Sequence, residues 1–296
     1  MKLDHLKSFI ALALVALVIF SCEKENAIQK SQELDYQRIG IEHNKGLDFV
    51  FEYLKKEKAA RNSQLKGDIN YIALSQKGVT EFINSNNLFI NETEQKIAIN
   101  ESKKPFDFYQ ECTNNNLKSS TLTDLWTDDV EHLLTEKQKN ILIKLNQILS
   151  VEKPEILEIL DNISILEKEI ESTCNVDEQK VLLIATSIAS NSFQYWHDNF
   201  DKWAEEFGSD NDLKGWRDFR WSEAGKNDVA YGVGGGIAGA IVGGSVSVGV
   251  LTIPGYAAGA IGGAVGGSIG NAILQVWSSQ AIDDSKLDEP VDLGSN

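Results

Sequence analysis

Cysteine is scarce in this chain: Cys22, Cys112 and Cys174 are the only three in 296 residues, and no Cys-x-x-Cys pair occurs. That excludes the paired-thiolate spacing of structural zinc sites. Histidine is as thin. His5, His43, His132 and His197 stand far apart in sequence, so no metal site is expected and no cofactor is implied. Basic residues are outnumbered, 28 against 44 acidic, for a net charge of −16. Nucleic acid is therefore not an expected partner, because a polyanion would be repelled rather than bound through counterion release. Carboxylate pairs exist at Asp128-Asp129 and Glu205-Glu206, but no His, Cys or Ser nucleophile is placed beside them. Such pairs in an acidic chain read as solvated faces, and no enzyme is expected.

What is present begins with an apolar run. Lys2 and Lys7 precede a stretch from Ser8 to Phe20 that suits a signal-peptide core and is short for a membrane span of about 20 residues. The run ends at Ile19-Phe20-Ser21-Cys22, which resembles the lipobox of bacterial lipoproteins, with Phe20 a departure from its tighter versions. The resemblance implies cleavage before Cys22 and palmitate-type acylation of that cysteine, which would give the two lipid signals stable anchoring requires. Glu23-Lys24-Glu25-Asn26 resembles the acidic export signal of Bacteroidota surface lipoproteins. His43-Asn44 with Leu47-Asp48 resembles a stretch of exported proteins from the same phylum, one that implies no activity. The expected location is the cell envelope, lipid-anchored at the outer membrane. Surface exposure and the periplasmic face both stay open. In such an oxidising compartment Cys112 and Cys174 are candidates for a disulfide, with two buried thiols the alternative.

The middle of the chain carries helical periodicity. Ile39, Leu47, Val50, Phe51 and Leu54 share one face of a helix. Short helices are expected over 62–104, with Lys96–Asn100 read as a short strand or loop. Thr121 to Asp124 offers capping oxygens for a first helical turn, and Thr135 opens a helix with Ile141, Leu145, Ile148 and Leu149 inward. After Pro154, the residues Ile156, Ile159, Ile163, Leu166 and Ile170 step by three and four, and a further helix starts at Val176. Short connections between such helices predict an antiparallel bundle. Trp196, Phe200, Trp203 and Phe207 form an aromatic stripe that fits a packed core or a membrane-surface belt, and the acidic residues around it favour the core.

The last feature is a tail without charge. From Val229 to Ile282 there is no Asp, Glu, Lys or Arg over 54 residues, and 15 of the 23 glycines fall there. Gly232, Gly236, Ala240 and Gly244 step by four, as do Gly235, Gly239 and Gly243. So do Gly255, Gly259, Gly263 and Gly267, and also Gly262, Gly266 and Gly270. Residues four apart share a helix face, and glycine there lets two backbones touch. Each helical glycine costs roughly 1 kcal/mol against alanine, so close packing or lipid must compensate. The pattern resembles the glycine zippers of small pore-forming bacteriocins, membrane-perturbing effectors and some outer-membrane lipoproteins. It predicts helices over about 229–251 and 256–277, each roughly long enough to span a bilayer, with Pro254-Gly255 as the turn.

The fold class expected is mainly α: a helical bundle followed by a glycine-rich antiparallel helical hairpin. The boundaries are 1–21 signal peptide, 22–35 tether, 36–225 helical domain, 226–282 glycine-zipper hairpin and 283–296 disordered acidic tail. The expected function is that of a lipid-anchored, non-enzymatic envelope protein whose hairpin inserts into or self-associates within a membrane. The alternative is a surface binding or adhesion module with the hairpin as its packed core. Membrane lipid is the expected partner, and no protein partner is named by the sequence. The candidate residues are Cys22 for lipidation and Gly232, Gly235, Gly236, Gly239, Gly243, Gly255, Gly259, Gly263 and Gly267 for membrane or helix packing.

Overall fold

The amphipathic stripes of the middle region need a common partner, and the computed structural model supplies one in the glycine-rich helices themselves. It describes residues 36–62, 71–85, 92–114, 124–150, 155–207, 220–242 and 253–276. Among them are eight α-helices, a short 3-10 turn at Glu131–Leu133 and no strand. The helices are α1 (Tyr36–Asn62), α2 (Tyr71–Ser85), α3 (Glu92–Asn114), α4 (Glu136–Leu149), α5 (Ile156–Thr173), α6 (Val176–Phe207), α7 (Trp221–Val242) and α8 (Ile253–Val276). From Tyr36 onward they belong to one compact unit. The signal segment, Cys22, the tether, Gly243, Trp277 and the acidic tail lie outside the described residues.

Each amphipathic helix forms where its apolar spacing allows. On α1, Ile39, Leu47, Val50, Phe51 and Leu54 are all buried. Thr135 caps α4 through a reciprocal box: Gln138 N–H donates to Thr135 Oγ1 at 3.1 Å, and Thr135 N–H donates to Gln138 Oε1 at 2.9 Å. Ile159, Ile163, Leu166 and Ile170 line the inner face of α5. Asn175 Oδ1 accepts the Asp177 and Glu178 amides at 3.0 Å each and starts α6. The aromatic stripe of α6 is core: Trp196, Trp203 and Phe207 are buried, and Phe51 of α1 meets both Trp203 and Phe207 edge-on.

Helices α7 and α8 occupy the centre. α8 packs against α7, α3, α1 and α2, and α7 packs against α6, α3 and α4 as well. From Gly255 to Ala272 every residue of α8 except Ala257 is buried. A helix apolar around its whole circumference needs such a jacket or a bilayer. The two run antiparallel at backbone contact. A Cβ on Gly259 would overlap the carbonyl of Gly235, one on Gly239 that of Gly255, and one on Gly263 that of Tyr231. Close backbone approach, with side chains absent, offsets the helix cost of the glycines.

Four expectations are corrected. Lys96–Asn100 is neither strand nor loop but part of the continuous helix α3, which passes through Pro105. Its register is fixed from outside, by Ala98, Ser102, Pro105 and Tyr109 against the second glycine row of α8. No helix begins at Asp124: that residue and those to Val130 form bends and turns, because Leu125, Trp126 and Val130 are drawn into the core from non-helical backbone. Pro254 and Gly255 do not make the turn. Both lie in the first turn of α8, where a proline's missing N–H costs nothing and Gly255 meets Gly239. Finally, α7 starts at Trp221 and not near 229, so Lys226 and Asp228 lie within it rather than before it.

Replacing Gly259 or Gly235 by alanine should therefore destabilise the fold by about 2–4 kcal/mol, although alanine is the better helix former. Urea denaturation is the check, with exposed Leu157→Ala on α5 as a control expected within about 0.5 kcal/mol of the parent.

Candidate functional site

The centre of the molecule holds two kinds of contact that sequence spacing does not connect: glycine surfaces and buried polar groups. Gly40 thins α1 where it meets α6, since a Cβ there would overlap Asn191 and the Ser187 carbonyl. That approach brings His43 of α1 and Ser192 of α6 to Asp228 of α7. His43 and Asp228 are both 0% exposed, with His43 Nε2 at 3.4 Å from Asp228 Oδ2. Ser192 Oγ donates to the same oxygen. Asn44 Nδ2 donates to the Asn191 carbonyl at 3.0 Å, which turns Asn44 Oδ1 toward His43 Nδ1 at 2.9 Å. Nε2 faces the Asp228 carboxylate without forming a hydrogen bond to it.

Serine, histidine and aspartate are the residue types of a nucleophilic triad, but the geometry here is a different one. The hydroxyl donates to the carboxylate and not to the imidazole, and Ser192 is buried. Nothing in this arrangement withdraws the hydroxyl proton toward a base, so it does not build an activated nucleophile. What it does is tie three helices together. A second polar tie joins α6 to α8, where Trp196 Nε1–H donates to Ser268 Oγ at 2.9 Å. A third lies within and beside α6: Trp203 Nε1–H donates to Tyr195 Oη at 3.1 Å, and Tyr195 donates to Asp48 of α1 at 3.2 Å. Burial, with the Asp48 carboxylate alongside, pushes the Tyr195 phenol well above its ordinary value and keeps it a donor.

The glycines of the sequence pattern divide among different neighbours. Gly235, Gly239, Gly259, Gly263 and Gly267 lie in the α7/α8 contact, together with Gly255. Gly232 faces Ile188 of α6, and Gly236 faces the ring of Tyr256. Gly262, Gly266 and Gly270 point elsewhere, onto Ala98, Ser102 and Tyr109 of α3. Cys174 is a free, buried thiol at the end of α5, and the side chain of Cys112 lies outside the described residues.

No protein family, curated protein or solved structure matches this chain. Its functional reading therefore rests on its own geometry. Among the described residues no helix is long and apolar enough to cross a membrane, and no cluster of His, Cys, Asp and Glu has the makings of a metal site. In α7 the charges of Glu223, Lys226 and Asp228 stand within the helix, and glycine itself adds little hydropathy. The helix lengths expected for a standing bilayer span are thus not matched by the required apolarity.

At the edge of the glycine pair sits one further acid. Glu101 of α3 is 9% exposed, lies against Gly235 and pairs with Lys104 at 2.8 Å, which in turn reaches Asp129 at 3.2 Å. Desolvation outweighs Lys104 and, helped by the Asp129 charge, raises its carboxyl above the ordinary 4.5. Sequence reasoning missed this group along with His43, Ser192 and Asp228. Its only signal was the small-residue spacing of Ala98 and Ser102, which places Glu101 beside a close helix contact.

Two outcomes follow. Asp228→Ala should cost about 1–3 kcal/mol by leaving the buried Ser192 hydroxyl without its acceptor. A double-mutant cycle with His43→Ala, read by urea denaturation, should show the two losses to be far from additive. For Glu101, a raised carboxyl pKa gives stability that is present below about 4.5 and lost as pH rises through the folded value. Glu101→Gln should therefore match the parent in urea midpoint at pH near 4 and exceed it at pH near 7.

Proposed function

We propose that this protein is a lipid-anchored, non-enzymatic component of the cell envelope that carries a glycine-zipper helix pair packed away inside a helical jacket and commits it to a membrane when the jacket opens. The observation that carries the reading is the all-round burial of α8, a helix with no charged residue between Ile253 and Val276. Such a helix carries no charge on any face and is kept from water almost all round. The lipid on Cys22 would hold the body at the bilayer, which a protein with a permanently inserted span would not need. Storage accounts for both: the lipid positions the body, and the pair is retained until release.

A second reading keeps the pair as permanent core of a surface binding or adhesion module. It is favoured by the hydrogen bonds Ser192–Asp228 and Trp196–Ser268, which fasten α7 and α8 to α6 and would have to break on release.

The two separate in one experiment. Cys22→Ala protein, added to phosphatidylethanolamine–phosphatidylglycerol vesicles, is expected to stay in the aqueous fraction while folded. It is expected to float with the vesicles once sub-denaturing urea loosens the body, and Gly263→Leu should abolish detergent-resistant association of the floated form. Flotation without urea would mean a standing insertion. Failure to float at any urea concentration would leave the pair as permanent core.

A further inference from the structure

Helix α5 carries two stripes, and the bundle uses only one of them. Ile159, Ile163, Leu166 and Ile170 are buried. On the opposite side Leu157, Asp161, Ser164, Ile165, Lys168 and Ser172 are all exposed, Leu157 by 74% and Ile165 by 63%. At 3.6 residues per turn these six fall within a strip about 100° wide. α5 packs on α6 and α4 and leaves the strip uncovered. Its two charges are unanswered as well. Neighbouring lysines are occupied: Lys139 reaches Glu131 at 3.2 Å, Lys180 reaches Asp177 at 2.8 Å, Lys144 pairs with Glu169, and Lys137 donates to the Thr173 carbonyl. Asp161 and Lys168 have no ion-pair or hydrogen-bond partner among the described residues. Seven residues apart, they lie about 10 Å from each other along the helix axis and do not meet.

We propose that this strip is a docking surface for a second copy of the chain, with the two α5 helices antiparallel about a two-fold axis between Ser164 and Ile165. Such a contact is isologous: where one residue meets another, the reverse pair forms too. Counted outward from that axis, Asp161 and Lys168 are equally distant. Each Asp161 therefore meets the Lys168 of the second copy, and two ion pairs form. Leu157 and Ser172 are also equally distant, and the small serine leaves room for the leucine. Ile165 of both copies meets at the axis, and Ser164 beside it lets the backbones approach. Charge selects this arrangement. A parallel pair would set Asp161 on Asp161 and Lys168 on Lys168, and like charges in contact are strongly disfavoured. The net charge of −16 repels copies of the chain from one another, whereas this strip, with one acid and one base, is locally neutral. A single helix face is a small contact, so the dimer forms where copies are concentrated and dissociates on dilution. It involves neither α7 nor α8 and is independent of the stored-pair reading.

The test is disulfide trapping in concentrated solutions of the Cys22→Ala chain. Ile165→Cys is the trap, and Ile143→Cys on α4, where the native side chain is 42% exposed but off the strip, is the control. Dimer is expected to be trapped through position 165 and not through position 143. Added to the trap, Asp161→Lys and Lys168→Asp should each slow trapping about tenfold, because either change sets like charges opposite each other twice. The chain carrying both exchanges should recover the parent rate. A mixture of the two single variants should also trap far faster than either alone, since every acid again meets a base. Both positions are exposed, and unchanged helix content will show that the fold is intact. Trapping that ignores the charge reversals, or that fails to recover in the double variant and the mixture, would overturn the proposal. So would equal trapping at 143, which would mean random collision, or none at 165, which would leave the strip to another occupant.

Discussion

Everything in this fold depends on two backbones touching. Where Gly235 meets Gly259 and Gly239 meets Gly255, no side chain separates α7 from α8. Any Cβ there would force the helices apart by more than the remaining contacts could follow, since interiors are packed too tightly to absorb it. Because the pair is so thin, the surrounding helices can reach it from every direction. Gly40 and Gly46 repeat the device on α1, the first against α6 and the second against Val265 of α8. Glycine is a poor helix residue in isolation, and the structure compensates through area that only close approach creates.

At the centre α8 carries no charge and α7 carries its charges only in its first two turns, so polar specificity comes from a few contacts with the surrounding helices. His43, Ser192 and Asp228 come from three helices and meet at one carboxylate, and Trp196 reaches Ser268 on α8. Buried polar contacts of this kind add little net stability but strongly oppose alternative arrangements, because a misplaced partner leaves a desolvated charge. They set which face of α7 looks toward α1 and α6. On the α3 side the acid Glu101 is held at a cost by desolvation.

The helical class and much of the core were legible from spacing alone. Ile39, Leu47, Val50, Phe51 and Leu54, the inner face of α5 and Trp196, Trp203 and Phe207 of the α6 stripe are buried where a period of 3.6 puts them, while Phe200 is only partly covered. Boundaries were less legible. Lys96–Asn100 looked extended locally, and its helix is imposed by contact with α8. Pro254-Gly255 looked like a turn, and a proline in a first helical turn produces the same residue pair. The polar centre could not be read at all, because His43, Ser192 and Asp228 are separated by well over a hundred residues on one side and tens on the other.

The sequence by itself determined that glycines four apart would form faces, since that follows from helix geometry and holds wherever the helix is placed. It also determined that those faces would need an unusually close partner. Only the tertiary structure decided which partner each face would have: α7 for Gly259, Gly263 and Gly267 of α8, α3 for Gly262, Gly266 and Gly270, Ile188 of α6 for Gly232. The reason is that glycine carries no side chain with which to specify a neighbour. Its faces accept any smooth surface, so the choice among them falls to the buried polar ties and to the order in which the larger side chains fill the remaining space.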